Sequence, residues 1–439
     1  MTELSDSDPY FIGLDIGTSA LKGVLTDACG KVLAEASADN CLLHPQEGWV
    51  ELDPETHYRN ICRIIRELTA DPPGEVTALA MAAASGNTLL ADADGFPLTN
   101  IISWMDNRAA QQPPKALDGL TSEKVAQITG WPCVTNFPLA QLAWLHENRS
   151  FLCATASHVG MDTDWLLYRL TGQWQMDHST ATTFHLQDQV SGSYHTPFLE
   201  RIGVAPEKLS RLVPSGKVVG SLTAQALHDT GLSERTLVVT GCFDHPAAAR
   251  ASGVVEEGQL MLSCGTSWVG FMPHSDRKAL LKAQLLCDPF LSRNGGPWGG
   301  MFSVPQIGRT IEWYVEHVIA PGEKVSERMR AFDSLAAQAD SGADGVIIDL
   351  REPPQPIDAD RANVSRAVME GAARLLNEKL LELARYGFHH HRAVMVGGPS
   401  RSPVWPGIVA EITGLEVTAG DRSAGARGAA MLAAEGCSE

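Results

Sequence analysis

FIGLDIGTSALKGVLTD (residues 11–27) reads as an apolar strand, a Gly-Thr-Ser turn at 17–19 and a second strand. A further turn at Asp27–Gly30 leads into a third strand, KVLAEAS. Apolar runs broken by turn residues at hairpin spacing signal an antiparallel opening. A dinucleotide-binding fold would instead send its first strand into a helix. The pattern returns at 259–273, QLMLSCGTSWVGFMP, again two strands around Gly-Thr-Ser. LDIGTSALKG against LSCGTSWVG points to two related halves facing one ligand, although a shared tripeptide is weak support by itself.

Between the hairpins the signals alternate. Asp53-Pro54 is a helix start, Asp as cap and Pro in the first turn, and Tyr58, Ile61, Ile65 and Leu68 follow at helical spacing. VTALAMAAA (76–84) reads as a buried strand, and the following segment as a hairpin turning at Asp94-Gly95. Helices are expected around Leu139–Asn148 and over GMDTDWLLYRLTG, the second stopping at Gly172. ATTFHLQD (181–188) is expected to be short and extended, and TLVVTG (236–241) to be a strand. Arg361–Tyr386 is a long helix, AVMVGGPSRSP a strand, Gly-Gly turn and helix start, and SAGARGAAMLAAEG a small-residue terminal helix. No low-complexity linker divides the chain, so a tight boundary is expected near residue 243, giving domains 1–243 and 244–439.

The totals exclude several classes. The chain has 439 residues, 44% of them hydrophobic, enough for two or more cores. A formal net charge of −18 argues against nucleic acid and anionic membrane as partners. Nucleotide phosphates remain open, since backbone N–H groups and a cation hold them without a basic patch. Nine scattered cysteines, with no CxxC pair and no zinc spacing, fit free thiols in a reducing compartment. The acidic start lacks the apolar core of a signal peptide, and no run approaches the length of a membrane span, so a cytoplasmic soluble protein is expected.

Two places carry chemistry. Gly17 permits a sharp turn, and Thr18 and Ser19 offer hydroxyls and N–H groups to a phosphate; Asp15, just before, suits a hydrated Mg2+. The alternative is a plain hairpin with a solvated acid. In VVTGCFDHPAAA (238–249), Asp244 stands where a strand meets an alanine-rich segment. It is either a helix cap, with Pro246 in the first turn, or a base.

The ordered set DIGTSALK, WMDNR, TDWLLYRLTG with MDHSTA, GCFDHPAAA, SCGTS, GRTIEW and MVGGPSRSPVW resembles the FGGY family of carbohydrate kinases, over roughly residues 10–436. The family sits in the superfamily of actin, sugar kinases and heat-shock ATPases, and the likeness is strongest to its ketopentose kinases. The resemblance implies an α/β protein of two ribonuclease-H-like, actin-like ATPase domains with a nucleotide- and sugar-binding cleft between them. It implies ATP and Mg2+ as cofactors and transfer of the γ-phosphate to a hydroxyl of a small sugar, a ketopentose such as xylulose first among them. Asp244 becomes the general base and, with Asp15, a metal ligand. Gly17, Thr18, Ser19, Lys22, Gly265, Thr266, Gly308, Gly398 and Ser402 become nucleotide contacts. Ser85, Asn87, Asp106, Arg108 and His245 become the sugar side, with a structural ion pair as the competing reading of Asp106 and Arg108. Asp164, Asp177 and Ser179 match positions read as braces of the cleft.

Departures from the family pattern bear on the sugar. Ala84 and Ser85 stand where xylulose kinases often carry Met-His. His245 stands where a small amide usually follows the catalytic acid, and is expected to influence substrate choice. Gln141 replaces a Lys, Pro399 ends the glycine turn early, and the loop before the Arg361 helix is short. Kinases of ribulose, fuculose, rhamnulose or glycerol are therefore alternatives, as is an ATP- and sugar-binding sensor without turnover. A chaperone-like ATPase leaves WMDNR unexplained. A homodimer stays open.

Overall fold

The computed structural model describes residues 9–84, 86–265, 267–305 and 307–438. Two compact units emerge. One runs through Ala251 and takes back Leu286–Gly296 and the chain from Ser423; the other comprises Ser252–Leu285 and Pro297–Arg422.

In the first unit the opening meander forms as its turns require: β1 (Tyr10–Ile16), β2 (Ala20–Asp27) and β3 (Val32–Asp39) pair antiparallel in sequence order. Helix α1 (Pro54–Leu68) then crosses over and delivers β4 (Val76–Ala83) parallel to β1. Parallel neighbours need such a crossover, because a tight turn cannot reverse the chain twice. The Asp53 carboxylate caps α1, accepting from Thr56 N at 2.7 Å. Strands β5 (Val218–Ser221) and β6 (Leu237–Phe243) complete the order β5-β6-β4-β1-β2-β3, with β6 parallel to β4.

Each face of this sheet is sealed differently. Tyr58, Ile61, Ile64, Ile65 and Leu68 of α1 join Ile12 and Leu14 of β1 in one large-residue core. Each such side chain buried contributes about 1.5–3 kcal/mol. The C-terminal helix (Ala424–Ser438) covers the other face with Ala426, Ala429, Ala430 and Ala433 on Ala78, Ala80 and Ala82. Small residues on both sides let the helix lie close: a Cβ at Gly13 would fall 1.8 Å from the Ala426 carbonyl oxygen.

The rest of this unit includes α2 (Pro138–Asn148) and α3 (Asp162–Thr171), the latter closed by Gly172 at φ 73°. Between them and β6, residues 180–184 form a short helix, α4 (Thr180–Phe184), where an extended segment was expected. Capping overrides the strand preference of Thr182 and Thr183. The Asp177 carboxylate accepts from Ser179 N and Thr180 N, both at 2.9 Å, and fixes the first turn. Gln187–Asp188 alone is extended.

The second unit repeats the arrangement. Strands β7 (Gln259–Cys264), β8 (Trp268–His274) and β9 (Trp298–Val304) form the meander. Helices α6 (Ile307–Tyr314) and α7 (Arg361–Ala384) precede β10 (Arg392–Gly397), parallel to β7, and α8 (Trp405–Thr413) leads to β11 (Glu416–Ala419). Its central order, β9-β8-β7-β10-β11, is that of β3-β2-β1-β4-β6. In the first unit, helix α5 (Asp244–Ala251) follows β6 directly.

Candidate active site

Three parallel strands of the first sheet end together. Ile16 of β1 and Phe243 of β6 both pair with Ala83 of β4. The Gly17–Ser19 turn, the loop after Ala83 and Asp244 therefore leave one edge of one sheet. Ligands of open α/β sheets bind outside the carboxyl ends of the strands.

Asp244 is aimed by a bulge. The register of β6 against β4 shifts between Val239 and Cys242. There Gly241 lies so close to β4 that a Cβ would sit 1.5 Å from the Met81 oxygen. Bulges bend a strand and redirect the side chains beyond it. The strand end is then pinned: Phe243 N donates to Ser179 Oγ at 3.1 Å, and Ser179 Oγ donates to Asp288 Oδ2 at 2.8 Å. Asp244 opens α5, yet among the described residues the hydrogen bond its carboxylate makes is to His245 Nδ1, at 2.5 Å. The His245 ring stacks on Phe243, centroids 5.3 Å apart, and its Nε2 is buried without a partner among the described residues.

The electrostatics follow from this grouping. Burial pushes the Asp15 carboxyl up to about 6, and the charge of Asp244 adds to the rise; Lys22 and His245 pull against it. Lys22 faces Asp15 in the β1–β2 register. Burial disfavours the charged form of His245, but Asp244, Asp15 and Asp288 outweigh it and raise the pKa. Among the described residues no group of three or more metal-capable side chains occurs. Two crowded carboxylates, Asp15 and Asp244, fit a Mg2+ that keeps most of its waters, and such a cation would relieve their repulsion.

Beside them the turn is clamped. Asn40 Nδ2 donates to the Gly17 and Thr18 carbonyls at 2.6 and 3.2 Å, and Trp104 Nε1 donates to Thr18 Oγ1 at 3.0 Å. Ser19 and Lys22 are exposed. Asn87 holds Trp104 in turn: its Oδ1 accepts from Trp104 N, and its Nδ2 donates to Asp162 Oδ2. Gln141 donates to the Ser103 and Asn136 carbonyls, bracing the same loop. Ser85 lies outside the described residues.

Asp106 and Arg108 form a closed, buried pair. Asp106 Oδ2 accepts from Val50 N and from Arg108, and Oδ1 accepts from Arg108 N and Nε. Arg108 also reaches Glu51 and lies over the Trp49 ring. Asp177 and Ser179 hold the end of β6, and Asp164 caps α3 through Met161 N and binds Ser210.

In the second unit, Cys264 of β7 pairs with Gly397 of β10, so the turns at Gly265 and Gly398 emerge side by side. Gly397 has φ 95°, and a Cβ there would meet the Cys264 oxygen at 2.5 Å; the fold requires this glycine. Among the described residues, a Cβ at Gly398 would meet nothing within 4 Å, and one at Gly265 nothing nearer than 3.7 Å. The fold therefore leaves both positions open to a ligand. Gly308 is the second residue of α6, and Ser402 Oγ accepts from Trp405 N at the start of α8. Thr266 lies outside the described residues.

Sequence reasoning passed over Trp104, Asn40, His57, Asp162 and Asp288. Trp104 stands inside WMDNR, so its signal was available; the others become neighbours of the site only through strand order and register.

Comparison with known proteins matches residues 10–250 to the N-terminal domain, and residues 333–437 to the C-terminal domain, of the FGGY family of carbohydrate kinases. The chain is 25% identical to the xylulose kinase of Bacillus subtilis over 97% of its length and 88% of that protein. It is 26% identical to the autoinducer-2 kinase of Yersinia pseudotuberculosis, covering 95% of this chain and 84% of that one. The crystal structure of gluconate kinase from Lactobacillus acidophilus superposes with a TM-score of 0.85 at 21% identity, covering 98% and 90% of the two chains.

Proposed function

Because the chain belongs to the FGGY family of carbohydrate kinases, phosphotransferases with an alcohol acceptor and an actin-like ATPase fold, we propose that it phosphorylates a small sugar with Asp244 as the general base. A ketopentose such as xylulose is the proposed acceptor, after the names of its relatives; the autoinducer-2 kinase is the second lead.

One observation carries the assignment of the base. Asp244 and the Gly17–Ser19 turn leave the same sheet edge, and the Asp244 carboxylate bonds to His245 rather than to the amides of its own helix. With Oδ1 bonded to His245, Oδ2 is left to accept a proton. Here Asp244 accepts the acceptor's hydroxyl proton while that oxygen bonds to the γ-phosphorus and the bond to the β-phosphate oxygen breaks, releasing ADP. His245 holds the carboxylate in place and walls the acceptor site. Ser179 and Asp288 fix the strand end behind it.

Gly17, Thr18, Ser19 and Lys22 are proposed to meet the phosphates, and Gly265, Thr266, Gly308, Gly398 and Ser402 to bind the nucleotide. Asp15 and Asp244 would hold Mg2+, which when bound neutralises phosphate charge. Asp106 and Arg108 are proposed to act at one remove, by fixing the loop that presents Trp104. The test is ADP release with Mg-ATP across neutral ketoses, polyols and aldonates. Turnover of a ketopentose supports the reading, and absence of any turnover overturns it.

A further inference from the structure

One pocket of the first unit is lined in part by residues with polar atoms that have no hydrogen-bond partner among the described residues. Its lining includes Thr18, Trp104, His57, Asn87 and Asp162. His57 comes from α1, Asp162 from the first turn of α3 and Asn87 from the loop after β4. Asn87 Nδ2 donates to Asp162 Oδ2 at 2.8 Å, and His57 Nε2 stands 3.8 Å from the same oxygen. His57 is 3% exposed and Asp162 1%. Yet neither ring nitrogen of His57, nor Asp162 Oδ1, has a hydrogen-bond partner among the described residues.

A core histidine kept only for packing normally donates at least one N–H to a carbonyl or carboxylate. Orphaned atoms on two residues that line one pocket mark a place where a bound hydroxyl or water completes the hydrogen bonding. Burial holds His57 down at about 4, so at neutral pH its ring offers one donor and one acceptor. Burial raises Asp162 to about 6, against the pull of Asn87 and the first-turn amides, so above that pH it is an anionic acceptor. Among the described residues no lysine or arginine lines the pocket. Its chemistry suits hydroxyl groups, which both donate and accept, and repels carboxylates.

We propose that His57, Asp162 and Asn87 form an acceptor subsite that reads the hydroxyls of an uncharged polyol or ketose and turns aldonates away. The subsite rests on the kinase reading above, because it shares Thr18 and Trp104 with the phosphate-side turn and its loop.

Xylitol and xylonate make a matched probe pair, equal in carbon number and differing in one terminal carboxylate. Calorimetry on the wild-type protein should show xylitol binding at least tenfold more tightly than xylonate; equal affinity, or no binding of xylitol, overturns the subsite. Asp162→Asn should raise the acceptor KM at least tenfold and leave the ATP KM within twofold, and His57→Phe should act in the same direction. Two folded variants with unchanged acceptor KM also overturn it. Selective binding of xylitol without turnover of any acceptor would sink the kinase reading and leave the subsite standing.

Discussion

Asp244 Oδ1 and His245 Nδ1 lie 2.5 Å apart, so the two residues that follow β6 and open α5 share one short charge-assisted hydrogen bond. The carboxylate thereby keeps an oxygen available while its direction is fixed. Replacing Asp244 by Asn preserves size but removes the proton acceptor. Asp244→Asn should lower kcat about 10³-fold, within the usual range for loss of a general base. The ATP KM should change less than threefold. ADP release under saturating Mg-ATP measures both, and a variant retaining most of its rate would exclude Asp244 as base.

His245 makes a second contribution. Its ring stacks on Phe243, and its Nε2 is buried with no protein partner among the described residues. An acceptor hydroxyl would complete that nitrogen. His245→Asn shortens the side chain and moves the polar atom, so the ratio of kcat/KM between two ketoses should change about fivefold or more, the worth of one hydrogen bond. The ATP KM should stay within twofold. An unchanged ratio in competition assays would remove His245 from substrate choice.

Behind these residues, Ser179 Oγ accepts from Phe243 N and donates to Asp288. Ser179→Ala leaves the Phe243 N–H and the buried Asp288 oxygen without this partner. The cost should be about 1–3 kcal/mol of stability. As Asp244 loses its anchorage, kcat should fall about tenfold. Chemical unfolding alongside turnover separates the two effects. Lost stability with full kcat would show a structural brace without positioning.

The adjacent glycines at the end of β10 should behave oppositely. Gly397 carries φ 95° and would drive a Cβ into the Cys264 oxygen, so Gly397→Ala should destabilise by about 1–3 kcal/mol. Gly398 has no described neighbour within 4 Å of that position, so Gly398→Ala should leave stability within about 0.5 kcal/mol and raise the ATP KM severalfold. Melting curves and nucleotide titrations read the two outcomes. A Gly398→Ala protein with normal ATP affinity would take the nucleotide away from this turn.

What the chain discloses before folding depends on range. The Gly-Thr-Ser turns, the Asp53 cap and the Gly172 stop are local, and each is written within a few residues. The residues 181–184 mislead because threonines favour strands, and only the Asp177 carboxylate, which caps the turn at 179–180, tips them into a helix. WMDNR is legible as a motif, but its charged residues draw the eye. Folding turns Asp106 and Arg108 inward on each other and Glu51, and gives the contact with Thr18 to the tryptophan. His57, Asn87 and Asp162 carry no joint signal at all, since α1, the loop after β4 and α3 meet only in the folded unit.

Asp164 offers a test in pH. Its carboxylate is buried, accepts from Met161 N at 2.6 Å and from Ser210 Oγ, and burial pushes it up to about 7, with Asp162 adding to the rise. The folded state therefore holds a proton that the unfolded chain releases near 3.8. More protons bound in the folded state means that stability falls as pH rises, between about 4 and 7. Asn carries no such proton, and its amide can keep the bond from Met161 N and donate to Ser210. The stability of Asp164→Asn relative to wild type should thus improve by about 2 kcal/mol from pH 5 to pH 8, one pKa unit being worth about 1.4 kcal/mol. Urea unfolding at both pH values measures it. A pH-independent difference between the two proteins would show that Asp164 is already ionised in the fold.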